Sequence, residues 1–261
     1  MRVIGFASGK GGVGKSTIAL NLGLILAQAG HKVVVIDADI HMANLGVLLG
    51  VETNPITLHN VLKGENSIHD AIYEGPYGLK YAPSSLSMDR SGLELGKLAD
   101  AVKELSDYEF ILIDCPPGIG EDAEAALAAS QEIIIVLTPE PSSLADALKT
   151  KAIAEHEGAN ILGLVLNMTL GDKTEVQPSD LATVMDIPIL AILPEDIEVR
   201  RASATQKPVV IRSPASKFVA GINILASKLL GKKVVPQPKP RKGFLSSIFS
   251  FFSRLFSGGK R

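Results

Sequence analysis

Residues 9–17 read Gly-Lys-Gly-Gly-Val-Gly-Lys-Ser-Thr, matching the pattern G-x-x-x-x-G-K-[ST] of a phosphate-binding loop. Gly11, Gly12 and Gly14 let the backbone wrap closely around a phosphate chain, so that successive N–H groups point at its oxygens. Lys15 is placed to set its ammonium between terminal phosphates, and Ser16 to offer a hydroxyl to Mg²⁺. Val13 and Thr17 belong to the same cofactor-binding stretch. Lys10 is the unusual member, because a loop of this kind needs no second lysine on its outer rim. Alone it reads as a solvated surface residue, but a charge there can reach a phosphate from outside, including one held by a neighbouring subunit.

Three aspartates fit the same chemistry. Asp37 and Asp39 follow the apolar run Val-Val-Val-Ile, and both are expected to face Mg²⁺ and the attacking water. Asp114 follows Phe-Ile-Leu-Ile and precedes Cys115-Pro116-Pro117-Gly118, the form of an acidic residue that holds Mg²⁺ through water ahead of a mobile glycine loop. A single aspartate at a strand end is more often a turn former or helix cap. Three of them after apolar strands, in a chain with a phosphate loop, reverse that judgement.

These side chains need a scaffold that brings strand ends together. The segment 2–8 before the loop is apolar and β-prone, and residues 16–28 after it have helical spacing, ending at Ala29-Gly30 with a C-terminal glycine. The loop therefore opens a helix, whose N-terminus favours an anion. Continuous apolar runs at 32–37, 109–114, 132–138, 161–167 and 189–193 predict strands buried on both faces. Helical patterns fall between them at about 87–106, 121–130, 142–157, 178–186 and 197–206, with a last helix near 214–230. The segment 75–89 mixes Gly, Pro and Ser and reads as a strand with long loops. The predicted class is α/β: a three-layer, mostly parallel central sheet with helices on both faces. Ligands of such sheets gather at the C-terminal strand ends, where the aspartates fall.

Length and composition agree with one such domain. A chain of 261 residues with 46% hydrophobic content can bury a single large core, assigned to residues 1–231. Cys115 is the sole cysteine, which excludes a disulfide and a paired-thiol metal or iron–sulfur site and suits a reducing cytosol. No apolar run reaches 18 residues and no signal peptide opens the chain, so the domain is expected to be neither exported nor membrane-spanning. The five histidines show no metal spacing.

The charge is distributed unevenly. Residues 232–261 hold eight Lys or Arg and no acid, leaving 18 basic and 28 acidic side chains in residues 1–231. A body near −10 is thus joined to a tail of +8, although the whole chain has a net charge of only −2. The stretch 232–243 is rich in Pro and Lys and reads as a stiff, extended linker. In residues 244–257, Phe244, Leu245, Ile248, Phe249, Phe251, Phe252, Leu255 and Phe256 fall within an arc of roughly 160° at helical spacing. Ser246, Ser247, Ser250, Ser253, Arg254 and Ser257 take the other side, and residues 258–261 form a basic end. Too short to span a bilayer, this amphipathic helix is expected to lie in the interface of an anionic membrane. Docking onto the body or a partner groove is the competing reading, and the proline-rich spacer argues against it.

With its second-position lysine, paired Asp37 and Asp39 and the Asp114 loop, the chain resembles the deviant Walker A ATPases, which include MinD, ParA and the flagellar-number regulators. The resemblance spans residues 1 to about 231, and the Lys242-Gly243-Phe244-Leu245 stretch is similar to the membrane-targeting end of the MinD branch. It implies that ATP and Mg²⁺ are the cofactors and that ATP hydrolysis is slow in the monomer. Lys10 is implied to reach across an ATP-bound homodimer, meeting Asp146 of the other subunit. Asp39 is implied to position the hydrolytic water, and Asn167, Pro194, Glu195 and Asp196 to hold adenine. The segment 41–46 resembles the first switch region, with Gly46 where an acidic residue often stands. The implied role is a MinD-like cycle between cytosol and inner membrane face that positions division-site or polar machinery, through an unidentified protein cargo or activator. The alternatives are a regulator that binds a transcription or flagellar assembly factor, and a ParA-like partitioning ATPase. No nucleic acid is expected as a partner, because the body is acidic.

Overall fold

A computed structural model describes residues 1–51, 53–87 and 89–231. The stretch 232–243 expected to be a linker, the segment 244–257 with the eight residues from Phe244 to Phe256 expected at a membrane, and residues 258–261 lie outside the described residues.

Eight strands form one sheet: β1 (Arg2–Ala7), β2 (Val33–Asp37), β3 (Tyr73–Glu74), β4 (Lys80–Ala82), β5 (Phe110–Asp114), β6 (Glu132–Leu137), β7 (Asn160–Thr169) and β8 (Ile189–Pro194). Their order is β3-β4-β2-β5-β1-β6-β7-β8, and every pairing is parallel except β3 with β4. All residues of β2 and β5 are buried, as their unbroken apolar runs require. Ten α-helices cover the described part: α1 (Lys15–Gln28), α2 (Leu45–Leu49), α3 (Leu58–Leu62), α4 (Lys97–Glu104), α5 (Glu121–Ala128), α6 (Pro141–His156), α7 (Pro178–Met185), α8 (Ile197–Ala204), α9 (Val209–Arg212) and α10 (Lys217–Leu230). The predicted three-layer arrangement is what the chain adopts.

The helix that follows the phosphate loop is the most deeply set. Every residue of α1 from Ile18 to Ala27 is buried, packed with β1, β2, β5 and α10. Each of its buried Leu and Ile side chains contributes about 1.5–3 kcal/mol relative to exposure, so the loop's anchor is rigid. Gly30, at φ 92°, turns the chain out of α1, and the His31 N–H returns to the Leu26 carbonyl.

The helix expected over 87–106 is shorter than its pattern, starting only at Lys97. Asp89 accepts the Ser91 N–H and hydroxyl, and Gly92 is left-handed at φ 75°, so the chain before Lys97 is a series of turns. The predicted strand in 75–89 is β4; its antiparallel partner β3, together with α2 and α3, is absent from the expectations above.

Candidate functional site

The site is assembled at the C-terminal ends of β1, β2, β5 and β7. Connections leave central β1 toward β2 on one side, while β6 lies on the other, and ligands bind where the winding of such a sheet reverses. Asp37 and Asp114 are register partners on neighbouring β2 and β5, and Phe6 pairs with Asp114 across β1 and β5.

The loop between β1 and α1 has two left-handed glycines, Gly12 at φ 79° and Gly14 at φ 95°. A Cβ on Gly14 would stand 2.4 Å from Asn167 Nδ2, and that same Nδ2 donates to the Val13 carbonyl at 2.7 Å. Val13 itself is buried in the core. On the other flank a Cβ on Gly9 would meet the Asp146 carbonyl oxygen at 2.5 Å, so α6 packs directly on the loop. The cradle is therefore pinned from β7 and from α6.

A cavity of about 390 Å³ opens over it, lined by Gly11, Gly12, Gly14, Lys15, Ser16, Thr17 and Asp39, and also by Met42, Asn44, Cys115 and Pro117. Lys15 is buried, donates to Ser8 Oγ at 2.8 Å and makes no ion pair to an acid among the described residues. Burial lowers its pKa, against the nearby charges of Asp114, Cys115 and Asp39. A buried ammonium without a contacting counter-charge fits an anionic phosphate.

Asp114 supplies the complementary observation. It is 1% exposed, and neither carboxylate oxygen has a hydrogen-bond partner. Burial raises its pKa; the Ser16 hydroxyl and the Lys15 charge pull the other way, the hydroxyl without a bond of ordinary geometry. Orphaned buried carboxylate oxygens beside a serine hydroxyl are what a hard cation such as Mg²⁺ requires, so Asp114 and Ser16 fit the metal.

Asp37 departs from the expectation that it faces the metal. Its Oδ1 accepts the Asp39 N–H at 3.2 Å, and its Oδ2 accepts those of Asn44 at 2.9 Å and Leu45 at 3.0 Å. It fastens the loop after β2 instead. Burial and the neighbouring Asp114 charge raise its pKa, against the bonds from Leu45 and Asn44. Asp39 reaches the cavity, its Oδ1 accepting from the N–H groups of His41 at 3.0 Å and Met42 at 2.8 Å.

A second cavity of about 570 Å³ continues from Gly14, Thr17 and Met168 toward α8, lined by Asn167, Pro194, Glu195, Asp196, Ile197, Val199 and Phe218. All four residues expected at adenine are thus together, in a largely apolar recess suited to a flat ring. Asp196 shapes it indirectly: Oδ1 caps α8 through the Glu198 N–H at 2.9 Å, and Oδ2 accepts the Phe218 N–H at 3.2 Å. Met168, Val199 and Phe218 carried no sequence signal, because apolar side chains brought together by folding look like ordinary core residues in the chain. Ser8 had one, its position immediately before the loop.

Lys10 is outside this groove. It does not line the phosphate cavity, its side chain is 47% exposed, and its Nζ lies 3.0 Å from Glu140 Oε2 at the start of α6. The Asp146 carboxylate lies 3.3 Å from Lys149 and remains partly exposed.

A doubly covered, mostly parallel sheet with a pinned phosphate loop, a buried ammonium without a contacting acid among the described residues and an orphaned aspartate defines a P-loop nucleotide-binding protein. Residues 1–155 match the family described as AAA domain, and residues 92–230 match the family described as NUBPL iron-transfer P-loop NTPase. An ATP-binding protein of Methanocaldococcus jannaschii is 41% identical over 97% of this chain and 96% of its own length. The cell division ATPase MinD of Pyrococcus furiosus superposes with a TM-score of 0.84 at 36% identity, covering 88% of this chain and 98% of that one. The septum site-determining protein MinD of Pyrococcus horikoshii, solved with Mg-ADP, gives 0.83 at 37%, covering 87% and 95%. The chain belongs to the ParA/MinD family of P-loop NTPases, whose nucleotide site takes ATP with Mg²⁺. The chain has one cysteine, Cys115, which is buried, so it has no paired thiols of the kind that hold iron. Among the described residues, no helix is long and apolar enough to cross a membrane.

Proposed function

We propose that this protein is a MinD-like ATPase that pairs as a homodimer with ATP bound, holds an anionic membrane surface in that state, and returns to the cytosol after hydrolysis. The carrying observation is the division of labour between two lysines. Lys15 is committed to the phosphate cavity, whereas Lys10 stands outside it, half exposed and in contact with the surface residue Glu140. A charge so placed is free to neutralise phosphate on a second copy, where Asp146, packed on the loop, can receive it.

Phosphoryl transfer to water needs alignment and charge neutralisation more than covalent help. Lys15 and the loop N–H groups hold the phosphates, Ser16 and Asp114 hold Mg²⁺, and Asp39 orients the water. Lys10 from the partner completes the charge, so turnover waits for pairing. The basic tail makes pairing matter at the membrane: one short amphipathic anchor binds reversibly, and two linked anchors gain on the order of a hundredfold. The names of the MinD relatives, a cell division ATPase and a septum site-determining protein, support a role in placing division-site machinery.

Sedimentation with anionic liposomes tests the scheme. ATP is expected to bring the chain down with vesicles, ADP to leave it in the supernatant, and removal of residues 242–261 to abolish the difference. Equal binding with both nucleotides would count against it.

A further inference from the structure

Two loops line the phosphate cavity, and a histidine–aspartate contact lies beside them. The loop at 38–44 contributes Asp39, Met42 and Asn44, and the loop at 115–120 contributes Cys115 and Pro117. His41 Nε2, on the first, lies 3.2 Å from Asp122 Oδ2, in the first turn of α5 immediately after the second. The backbone N–H of the same His41 donates to Asp39 Oδ1 at 3.0 Å. One residue is therefore held at both ends: its main chain supports the Asp39 carboxylate, and its side chain is tied to the helix beyond the other loop.

Backbone bonds fix each loop separately: Gly118 N–H donates to the Ser8 carbonyl at 3.0 Å, and Asp39 N–H to Asp37 Oδ1 at 3.2 Å. Asp37 fastens the far end of the first loop at Asn44 and Leu45, while Met42 between them is 71% exposed. In the second loop Gly118 is left-handed at φ 92°, and a Cβ built on it would touch nothing within 4 Å. The His41–Asp122 contact ties the first loop to the start of α5, the helix that follows the second loop. Asp122 is well placed to be the fixed partner, since its side chain is 16% exposed and its Oδ1 accepts the Ala123 N–H at 2.9 Å. Arg90 and Glu121, one of each charge, line the cleft of about 430 Å³ beside the pair.

We propose that His41 and Asp122 are positioning residues for hydrolysis: their contact couples the two loops and holds the Asp39 carboxylate that His41 supports over the phosphate cavity. The inference rests on the ATPase reading and adds to it a tie between the loop that carries Asp39 and the loop that follows Asp114. Neither residue touches nucleotide in this account, so loss of the pair should lower turnover and spare binding.

The test is a double-mutant cycle in the full chain with His41→Ala, Asp122→Ala and both, reading steady-state kcat and KM for ATP and amide exchange at His41 and Met42. Each single change is expected to lower kcat about three- to tenfold with KM within about twofold, and to speed exchange at the two amides. The double variant should be no worse than either single, and Asp122→Glu should recover part of the loss. Additive losses, or single variants with unchanged exchange, would overturn the proposal. Should the unmodified chain hydrolyse no ATP, the ATPase reading falls, and the exchange cycle alone still decides whether the loops are coupled.

Discussion

Lys10 Nζ lies 3.0 Å from Glu140 Oε2 of its own chain, with both side chains about half exposed. Exposed pairs of this kind contribute about 0–1 kcal/mol, so the contact parks the lysine without committing it. Lys10→Ala should therefore melt within about 3 °C of the unmodified chain and keep nucleotide affinity. Its hydrolysis rate should lose the stimulation given by anionic vesicles, and undiminished stimulation would refute activation in trans.

Asp39 offers a sharper kinetic contrast. Its carboxylate faces the phosphate cavity and organises the turn at His41 and Met42. Asp39→Ala should lower kcat by about a hundredfold or more while ATP still binds, as removal of a water-orienting group does. Single-turnover hydrolysis with saturating ATP measures this; a rate within threefold of the original would exclude the role.

Asn167 is a structural test of the cradle. Its amide satisfies the Val13 carbonyl at 2.7 Å from a site 4% exposed. Asn167→Ala orphans that carbonyl at a cost of about 1–3 kcal/mol, which for a domain of this size lowers Tm by roughly 2–10 °C. Calorimetry should show the loss, and titration calorimetry with Mg-ADP should show weaker binding, because the loop shares the same anchor.

Asp114 predicts a pH dependence. Burial raises its carboxyl pKa in the fold above the ordinary 3.8, so the folded state binds more protons there than the unfolded state. Its contribution to stability is full below the ordinary value and is lost as pH rises through the raised one. The nucleotide-free chain should lose stability over that interval, and Asp114→Asn should flatten the slope in urea titrations. Mg-nucleotide, which selects the ionised carboxylate, should oppose the loss and release a proton on binding.

Unequal parts of this molecule were legible in advance. Strands β2, β5 and β6 stand where unbroken apolar runs put them, because burial on both faces leaves no room for polar residues. Strands β7 and β8 also follow such runs, but β8 is an edge strand with Ile192 45% exposed, so the expected burial on both faces fails there. Helix α3 has five residues, too few to hold on propensity alone; Thr57 and Asn60 cap it and the buried Leu58 and Leu62 fix it. Such elements exist through contacts that no local pattern announces. Asp37 and Asp39 illustrate the same divide within the site: two residues apart and alike in type, one fastens a loop through three N–H groups and the other faces the cavity.

The order of residues by itself determined the phosphate loop, the layered fold and the segregation of positive charge beyond residue 231, since each depends on spacing, composition or turn geometry within a short stretch. Only the tertiary structure decided which aspartate is left without a partner, which lysine stands outside the groove and that His41 meets Asp122. Those outcomes depend on the separation of atoms carried by different strands and helices, and distances of a few ångströms between remote segments are set by packing.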